Sequence, residues 1–208
     1  MIMESFPVGP LQCNCVVLGD ETTREAVVID PGDDEETIDE VLDQHRLNLK
    51  YIVHTHGHID HILAADHLRR TRGASVRIHP ADLFLWKGLQ MQASFLGMRV
   101  KAPGPVDGTL SQGDRIPFGP YELEVIETPG HTPGSICLLL RGPTPILFSG
   151  DTIFQRGIGR TDLWGGSATE ILASIRLKLF TLDEETLVHP GHGPQTTIRE
   201  EMRDNPFL

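Results

Sequence analysis

The sequence predicts an α/β protein, and three observations predict it. Short β-rich runs alternate with helical stretches almost throughout. No internal repeat, low-complexity tract or linker interrupts that alternation. The 208 residues suit one domain, residues 1–208, with a sizeable core.

The elements follow in chain order. "CVVLGD" and "EAVVID" are β-rich runs separated by a turn near Glu21 to Arg24. "DDEETIDEVLDQHRL" carries acidic residues in its first turn and Ile38, Val41 and Leu42 at helical spacing. "KYIVHT" is a strand, and "DHILAADHLRRTRG" a helix closed by Gly73. "ASVRIHP" is a further strand, and "ADLFLWKGLQMQASFLGM" reads as helix and loop. Lys101 to Pro120, rich in Gly and Pro, predicts loop with short extended pieces. Strands follow at "YELEVIET", "SICLLL" and "PILFSGD". "SATEILASIRLKLF" is a helix whose capping-box start pairs Ser167 with Glu170. "ETLVHPGHG" supplies a last strand.

Composition narrows the partners. The net charge of -11 repels phosphate backbones, so nucleic acid is not expected as a partner. No apolar run approaches the ~20 residues that span a membrane. The N-terminus lacks a basic region followed by a signal-like apolar core, so a cytoplasmic protein without membrane attachment is expected. Cys13, Cys15 and Cys137 form no disulfide framework or zinc pattern and read as small strand residues.

The chemistry concentrates in "HTHGHIDH", residues 54–61, at the end of a short apolar run. "LEVIETPGH" brings a strand and turn to His131, "PILFSGD" a strand to Asp151, and "TLVHPGH" a strand to His192. Each candidate ligand thus follows a buried-looking strand, where a rigid sheet presents it from a loop. Gly130, Gly150 and Gly191 each precede one and allow tight backbone paths. His56 and His58, two apart on extended chain, point the same way and could clamp one ion. Asp60 and His61 follow at the turn into the next helix and could face a second. Imidazole with carboxylate suits zinc, iron or manganese. Five histidines and two aspartates exceed what one tetrahedral zinc needs, so two divalent ions are expected, with zinc the leading choice.

The set "HTHGHIDH" with His131, Asp151 and His192 resembles the signature of the metallo-β-lactamase superfamily, over essentially the whole chain. The resemblance implies a four-layer αβ/βα sandwich with a metal cleft at one edge. It also implies that His56, His58 and His131 hold one ion, that Asp60, His61 and His192 hold the other, and that Asp151 bridges. Asp30, ending "AVVIDPG", matches the superfamily's early aspartate, which orients a ligand from behind. His54, His45, His67, His79 and His189 occupy no ligand position and read as structural or surface residues.

Within the superfamily, "FSGDTIFQRGIGRTDLWGG" and "PGHGPQTTIREEMRDNPFL" are similar to glyoxalase II-like hydrolases of the short bacterial YcbL type. That similarity implies a small-molecule thioester substrate such as S-lactoylglutathione, attacked by a metal-bridging hydroxide. One ion would stabilise the oxyanion, and Asp60 would orient or deprotonate the water. Three departures bear on the substrate. A helical C-terminal region of the kind that helps hold glutathione is not expected after His192; Gly193 and Pro194 stand where a post-histidine tyrosine would be; and Asp162 replaces an aromatic residue. Arg160 stands where a glutathione-contacting lysine would be. It has two readings: a partner for a substrate carboxylate, or an ion pair with Asp162 that fixes its loop.

"GRTD" is also similar to persulfide dioxygenases, which use one iron and dioxygen; the "GHGP" ending favours the hydrolase. The missing signal argues against a β-lactamase proper, the acidic charge against a nuclease, and the intact ligand set against a non-catalytic scaffold. The apolar stretch holding Leu83, Phe84, Trp86, Leu89, Met91, Phe95 and Met98 reads as core packing, with a mobile wall over the cleft as the alternative. Trp164 either flanks the cleft or pins its loop.

Overall fold

Alternating side chains along the strands explain how the sheets stack. The computed structural model describes all 208 residues. Its first half contains β1 (Ile2–Val8), β2 (Cys13–Gly19), β3 (Glu25–Ile29), α1 (Glu35–Gln44), β4 (Asn48–Val53), α2 (Ala65–Arg72) and β5 (Ser75–Ile78). Next come α3 (Leu83–Lys87), α4 (Leu89–Phe95), β6 (Gly108–Thr109), β7 (Arg115–Phe118), β8 (Tyr121–Glu127), β9 (Ile136–Leu140) and β10 (Ile146–Gly150). The remainder is β11 (Ile153–Phe154), β12 (Gly157–Ile158), α5 (Ala168–Lys178), β13 (Leu187–Pro190), β14 (Thr196–Thr197) and α6 (Ile198–Asp204).

The strands form two six-stranded sheets, in the orders β1-β2-β3-β4-β5-β6 and β14-β13-β10-β9-β8-β7, with β11 and β12 as a small hairpin. In β2, Cys13, Cys15 and Val17 face the helices, while Val16 and Leu18 face the other sheet. In β9, Ile136, Leu138 and Leu140 meet them across the interface, and Cys137 and Leu139 turn outward to α5. One outer layer packs α1 and α2 on the first sheet through Ile38, Leu42, Ala65 and Leu68. The other packs α5 on the second through Ile171 and Ile175. The architecture is therefore the expected four-layer αβ/βα sandwich.

Strand direction sets where the loops gather. β8 and β9 are antiparallel, as are β9 and β10, and β10 runs parallel to β13. The C-terminal ends of β8, β10 and β13 therefore lie on one edge. In the other sheet β3 and β4 are parallel, so Asp30 and the segment after Val53 also leave together. A hydrogen bond from Ile136 N–H to the Thr55 carbonyl (2.8 Å) links the two sheets at this edge.

Several elements differ from the sequence reading. The helix expected over residues 60–73 begins only at Ala65; Ile59–His61 is a 3₁₀ turn. The Ala64 N–H donates to Pro31 O (3.0 Å) rather than up a helix, because this segment is docked on the neighbouring loop. Gly73 does close α2 in the left-handed region (φ 69). The N-terminal β1 was not expected, nor was α6, which Thr197 caps by accepting the Glu200 N–H. No helix is long and apolar enough to cross a membrane.

Candidate metal centre

The seven expected ligands come from four strand ends and meet at this edge. His56 Nε2 lies 3.2 Å from His131 Nε2, which lies 2.9 Å from His58 Nδ1. Opposite them, Asp60 Oδ2 lies 3.2 Å from His192 Nε2 and 3.6 Å from His61 Nε2. Asp151 stands between the groups. Its Oδ1 is 3.5 Å from His61 Nε2, and its Oδ2 is 3.6 Å from His131 Nε2 and 3.7 Å from His192 Nε2. Candidate triads for an ion are His56/His58/His131, Asp60/His61/His192 and His56/His61/Asp151.

Hydrogen bonds behind the rings fix which nitrogen faces inward. His131 Nδ1 donates to Arg160 O (2.7 Å), and His192 Nδ1 to Gln12 O (3.2 Å). His61 Nδ1 donates to Asp30 Oδ2 (3.0 Å). Thr55 Oγ1 donates to Asp30 Oδ2 (2.6 Å), which leaves it to accept His56 Nδ1–H (3.1 Å). Each of these four rings thereby points an Nε2 lone pair at the centre. His58 is the exception, presenting Nδ1. Nitrogen lone pairs converging at 2.9 and 3.2 Å repel unless a cation stands among them. Nitrogens bound tetrahedrally to zinc are about 3.3 Å apart, so the spacing fits an ion. The buried His61 Nε2 and Asp151 Oδ1 have no hydrogen-bond partner, as a metal-binding set requires.

The charges agree. Burial pushes His56 well below the usual histidine range, with neighbouring imidazoles adding to the effect, and brings His58 to about 3. These rings are neutral donors. Burial acts the same way on His61, but Cys13 and the carboxylates of Asp60, Asp151 and Asp30 reverse it and raise His61. Burial opposes ionisation of Asp60, yet His61 and His192 overcome it and lower Asp60. The field here selects positive charge.

Close backbone paths build the centre. Asp30 adopts a left-handed conformation (φ 50) that turns its carboxylate back to Thr55 N–H (2.7 Å) and His61. A Cβ on Gly191 would stand 2.3 Å from Asp151 Oδ1 and 2.9 Å from His61 Cε1, so only glycine leaves room there.

Four supporting residues escaped the sequence reading. Asp82, fully buried, accepts Gly57 N–H (2.8 Å), Thr132 Oγ1–H (2.7 Å) and Gly134 N–H (2.7 Å). It ties the loop of His56 and His58 to that of His131. Burial raises its carboxyl, and those bonds pull it back. Gln92 accepts Ile59 N–H (3.0 Å) and donates to Gly57 O (3.0 Å). Asn14 donates to Pro190 O and Gly193 O (both 2.9 Å), bracing the His192 turn. Cys13 Sγ packs 3.3 Å from His61 Nδ1. Only the buried-strand setting of Cys13 gave any hint, and none pointed to the site.

The remaining expectations sort as follows. His54 donates Nδ1–H to His61 O (3.0 Å) and packs at a tilt against Trp86, and burial lowers it to about 4. His45, His67 and His79 pair with Glu4, Asp39 and Glu127. His189 is buried against Phe148. Arg160 lines the cleft but forms a two-pronged pair with Asp162 (2.7 and 2.8 Å), the second of its two readings. Trp164 stands at the cleft, its ring 6.4 Å from His58 and 5.6 Å from Phe95. The apolar stretch divides: Leu85, Trp86, Leu89 and Ala93 enter the core, and Phe95 and Leu96 line the cleft.

Comparison with known proteins agrees with this geometry. The family model for the metallo-beta-lactamase superfamily matches residues 8–192. Hydroxyacylglutathione hydrolase GloC of Haemophilus influenzae is 36% identical, covering 100% of this chain and 98% of its own length. The mitochondrial persulfide dioxygenase ETHE1 of Homo sapiens is 34% identical, covering 96% and 73%. The crystal structure of BLEG-1 B3 metallo-beta-lactamase superposes with a TM-score of 0.91 at 39% identity, covering 100% and 99%. The chain belongs to the metallo-beta-lactamase superfamily, and it carries a metal-binding site of that superfamily's histidine and aspartate type.

Proposed function

We propose that this member of the metallo-beta-lactamase superfamily is a binuclear hydrolase of thioesters, of the hydroxyacylglutathione hydrolase kind. One observation carries the reading: Asp151 lies between two three-donor groups and reaches both with its oxygens. His56, His58 and His131 would hold one divalent ion, Asp60, His61 and His192 a second, and Asp151 would be shared. Zinc is the leading choice of ion, and the same donors suit iron or manganese. Two such ions would lower the pKa of water enough to supply hydroxide near neutrality and would polarise the carbonyl oxygen.

The chain's own groups do the rest. Asp60 lines the cleft and, held ionised by His61 and His192, orients the attacking water and accepts its proton. Asp30 and Thr55 keep the His61 and His56 rings aimed through the reaction. Attack at the acyl carbon breaks the carbon–sulfur bond, releasing a carboxylate and a thiol.

A second reading rests on the similarity to the persulfide dioxygenase: one iron, dioxygen and a persulfide. Metal analysis with parallel assays of thioester hydrolysis and persulfide-dependent oxygen uptake separates the two. Two ions with hydrolysis are expected; one iron with oxygen uptake and no hydrolysis overturns the hydrolase. Asp151→Ala should lose metal and hydrolysis together, and full retention of two ions refutes the shared role.

A further inference from the structure

The cleft beside the metal donors, about 300 Å³, has a lopsided lining. Leu11, Phe95, Leu96, Leu163 and Trp164 supply most of its apolar lining, with Phe95 against Trp164. Trp164 meets His58 edge-on, and Phe95 meets Trp164, so the wall runs outward directly from the donors. Phe95 is 70% exposed, with Leu11 at 46% and Leu96 at 45%, an uncovered apolar surface at the mouth of a polar centre. α4 explains the exposure: its inner face is committed to the core through Leu89 and Ala93, which leaves Phe95 pointing out over the cleft.

Asp60 and Asp151 on the same lining belong to the metal donors, and beyond the donors basic charge is scarce. The lining's single Arg or Lys is Arg160, whose guanidinium fork is already filled by Asp162. Beyond Phe95 and Trp164 the surface continues past Met91, Leu163 and the Asp162 carboxylate. An anionic tail leaving the centre along this wall would displace Asp162 from Arg160 and then face that carboxylate. An apolar arm can lie on the Phe95, Leu163 and Trp164 side chains without breaking that ion pair.

We infer that the site takes thioesters bearing an apolar arm of about four to eight carbons, laid on Phe95 and Trp164, in preference to anionic ones. The inference rests on the thioesterase reading and names its substrate class. Its carbon–sulfur cleavage is the hydrolysis already described, with water as the only co-reactant.

The experiment uses the metal-loaded protein and N-acetylcysteamine thioesters of acetate, butyrate, hexanoate and octanoate. The neutral thiol keeps charge constant along the series. Hydrophobic transfer predicts that kcat/KM rises about threefold per methylene until the wall is covered. Phe95→Ser, at an exposed position, should flatten the series and lower the octanoyl ester at least tenfold more than the acetyl ester. S-lactoylglutathione should fall below hexanoyl-N-acetylcysteamine in kcat/KM. Hydrolysis with a flat or falling series, or with S-lactoylglutathione far above the others, leaves the thioesterase standing and overturns the apolar arm. If no thioester is hydrolysed, the thioesterase fails, and the wall is tested by S-octyl- and S-methyl-N-acetylcysteamine, which cannot be hydrolysed. Selective quenching of Trp164 fluorescence by the octyl compound, lost in Phe95→Ser, supports the wall; equal response to both overturns it.

Discussion

Replacing Asp82 by asparagine tests whether the centre is held from behind by a residue outside the ligand set. The carboxylate is fully buried and accepts three hydrogen bonds, two at Oδ2 and one at Oδ1. In Asp82→Asn the amide oxygen can keep Gly57 and Thr132, which turns the NH₂ group toward the Gly134 N–H, donor against donor. One charge-assisted bond is lost and a buried N–H is stranded, together costing about 3 kcal/mol. For a chain of this size that lowers the melting temperature by about 6–12 °C. The same change frees the His56–His58 loop from the loop after His131, and outer supports of this kind are worth about 10–100-fold in metal affinity. Calorimetry of the metal-free protein and competition with a chelator measure the two effects separately. A lowered melting temperature with metal affinity within twofold of the parent would make Asp82 a packing residue and refute its role in positioning.

Gly191→Ala places a methyl against Asp151 Oδ1 and His61 Cε1, at a position without a left-handed backbone. Secondary structure should persist by circular dichroism while bound metal falls at least tenfold by elemental analysis; a full complement of ions would show that the centre yields easily. Cys137 predicts an alkaline limit. Burial raises its thiol from 9.0 to about 11. The folded protein thus holds a proton that the unfolded chain releases above pH 9, and stability falls as pH rises from 9 to 11. By pH 11, where the folded thiol is itself half ionised, the loss amounts to roughly 2 kcal/mol. Cys137→Ala should reduce that loss by about this amount in denaturant titrations at pH 8 and pH 11; an unchanged loss would assign it to other groups.

The architecture was legible because short continuous apolar runs mark strands buried on both faces. β2 shows it well, its odd positions facing helices and its even positions facing the other sheet. The ligands were legible for a related reason, since each follows a buried strand and a glycine. Asp82, Gln92 and Asn14 were not. Most of their partners are backbone groups, at separations up to 179 residues, and backbone groups carry no residue type for a sequence to display. Nor could β1 be read. Its residues "IMESFPV" alternate weakly because it is an edge strand, paired with β2 alone.

The stretch from Ala81 to Met98 shows a different limit. α3 and α4 are short and carry apolar residues on more than one side, so periodicity selects no single inward face. Core packing and a cleft wall looked like competing readings, and the structure uses both. Leu85, Trp86, Leu89 and Ala93 satisfy the core, and those four positions suffice to dock the helices. Phe84, Met91, Phe95 and Leu96 are then surplus to folding and remain uncovered. Single exposed apolar side chains are ordinary, whereas a group of them beside a polar cleft marks a binding surface. Because Phe95 and Leu96 stand at the mouth of the metal centre, they are where the proposed apolar arm would lie.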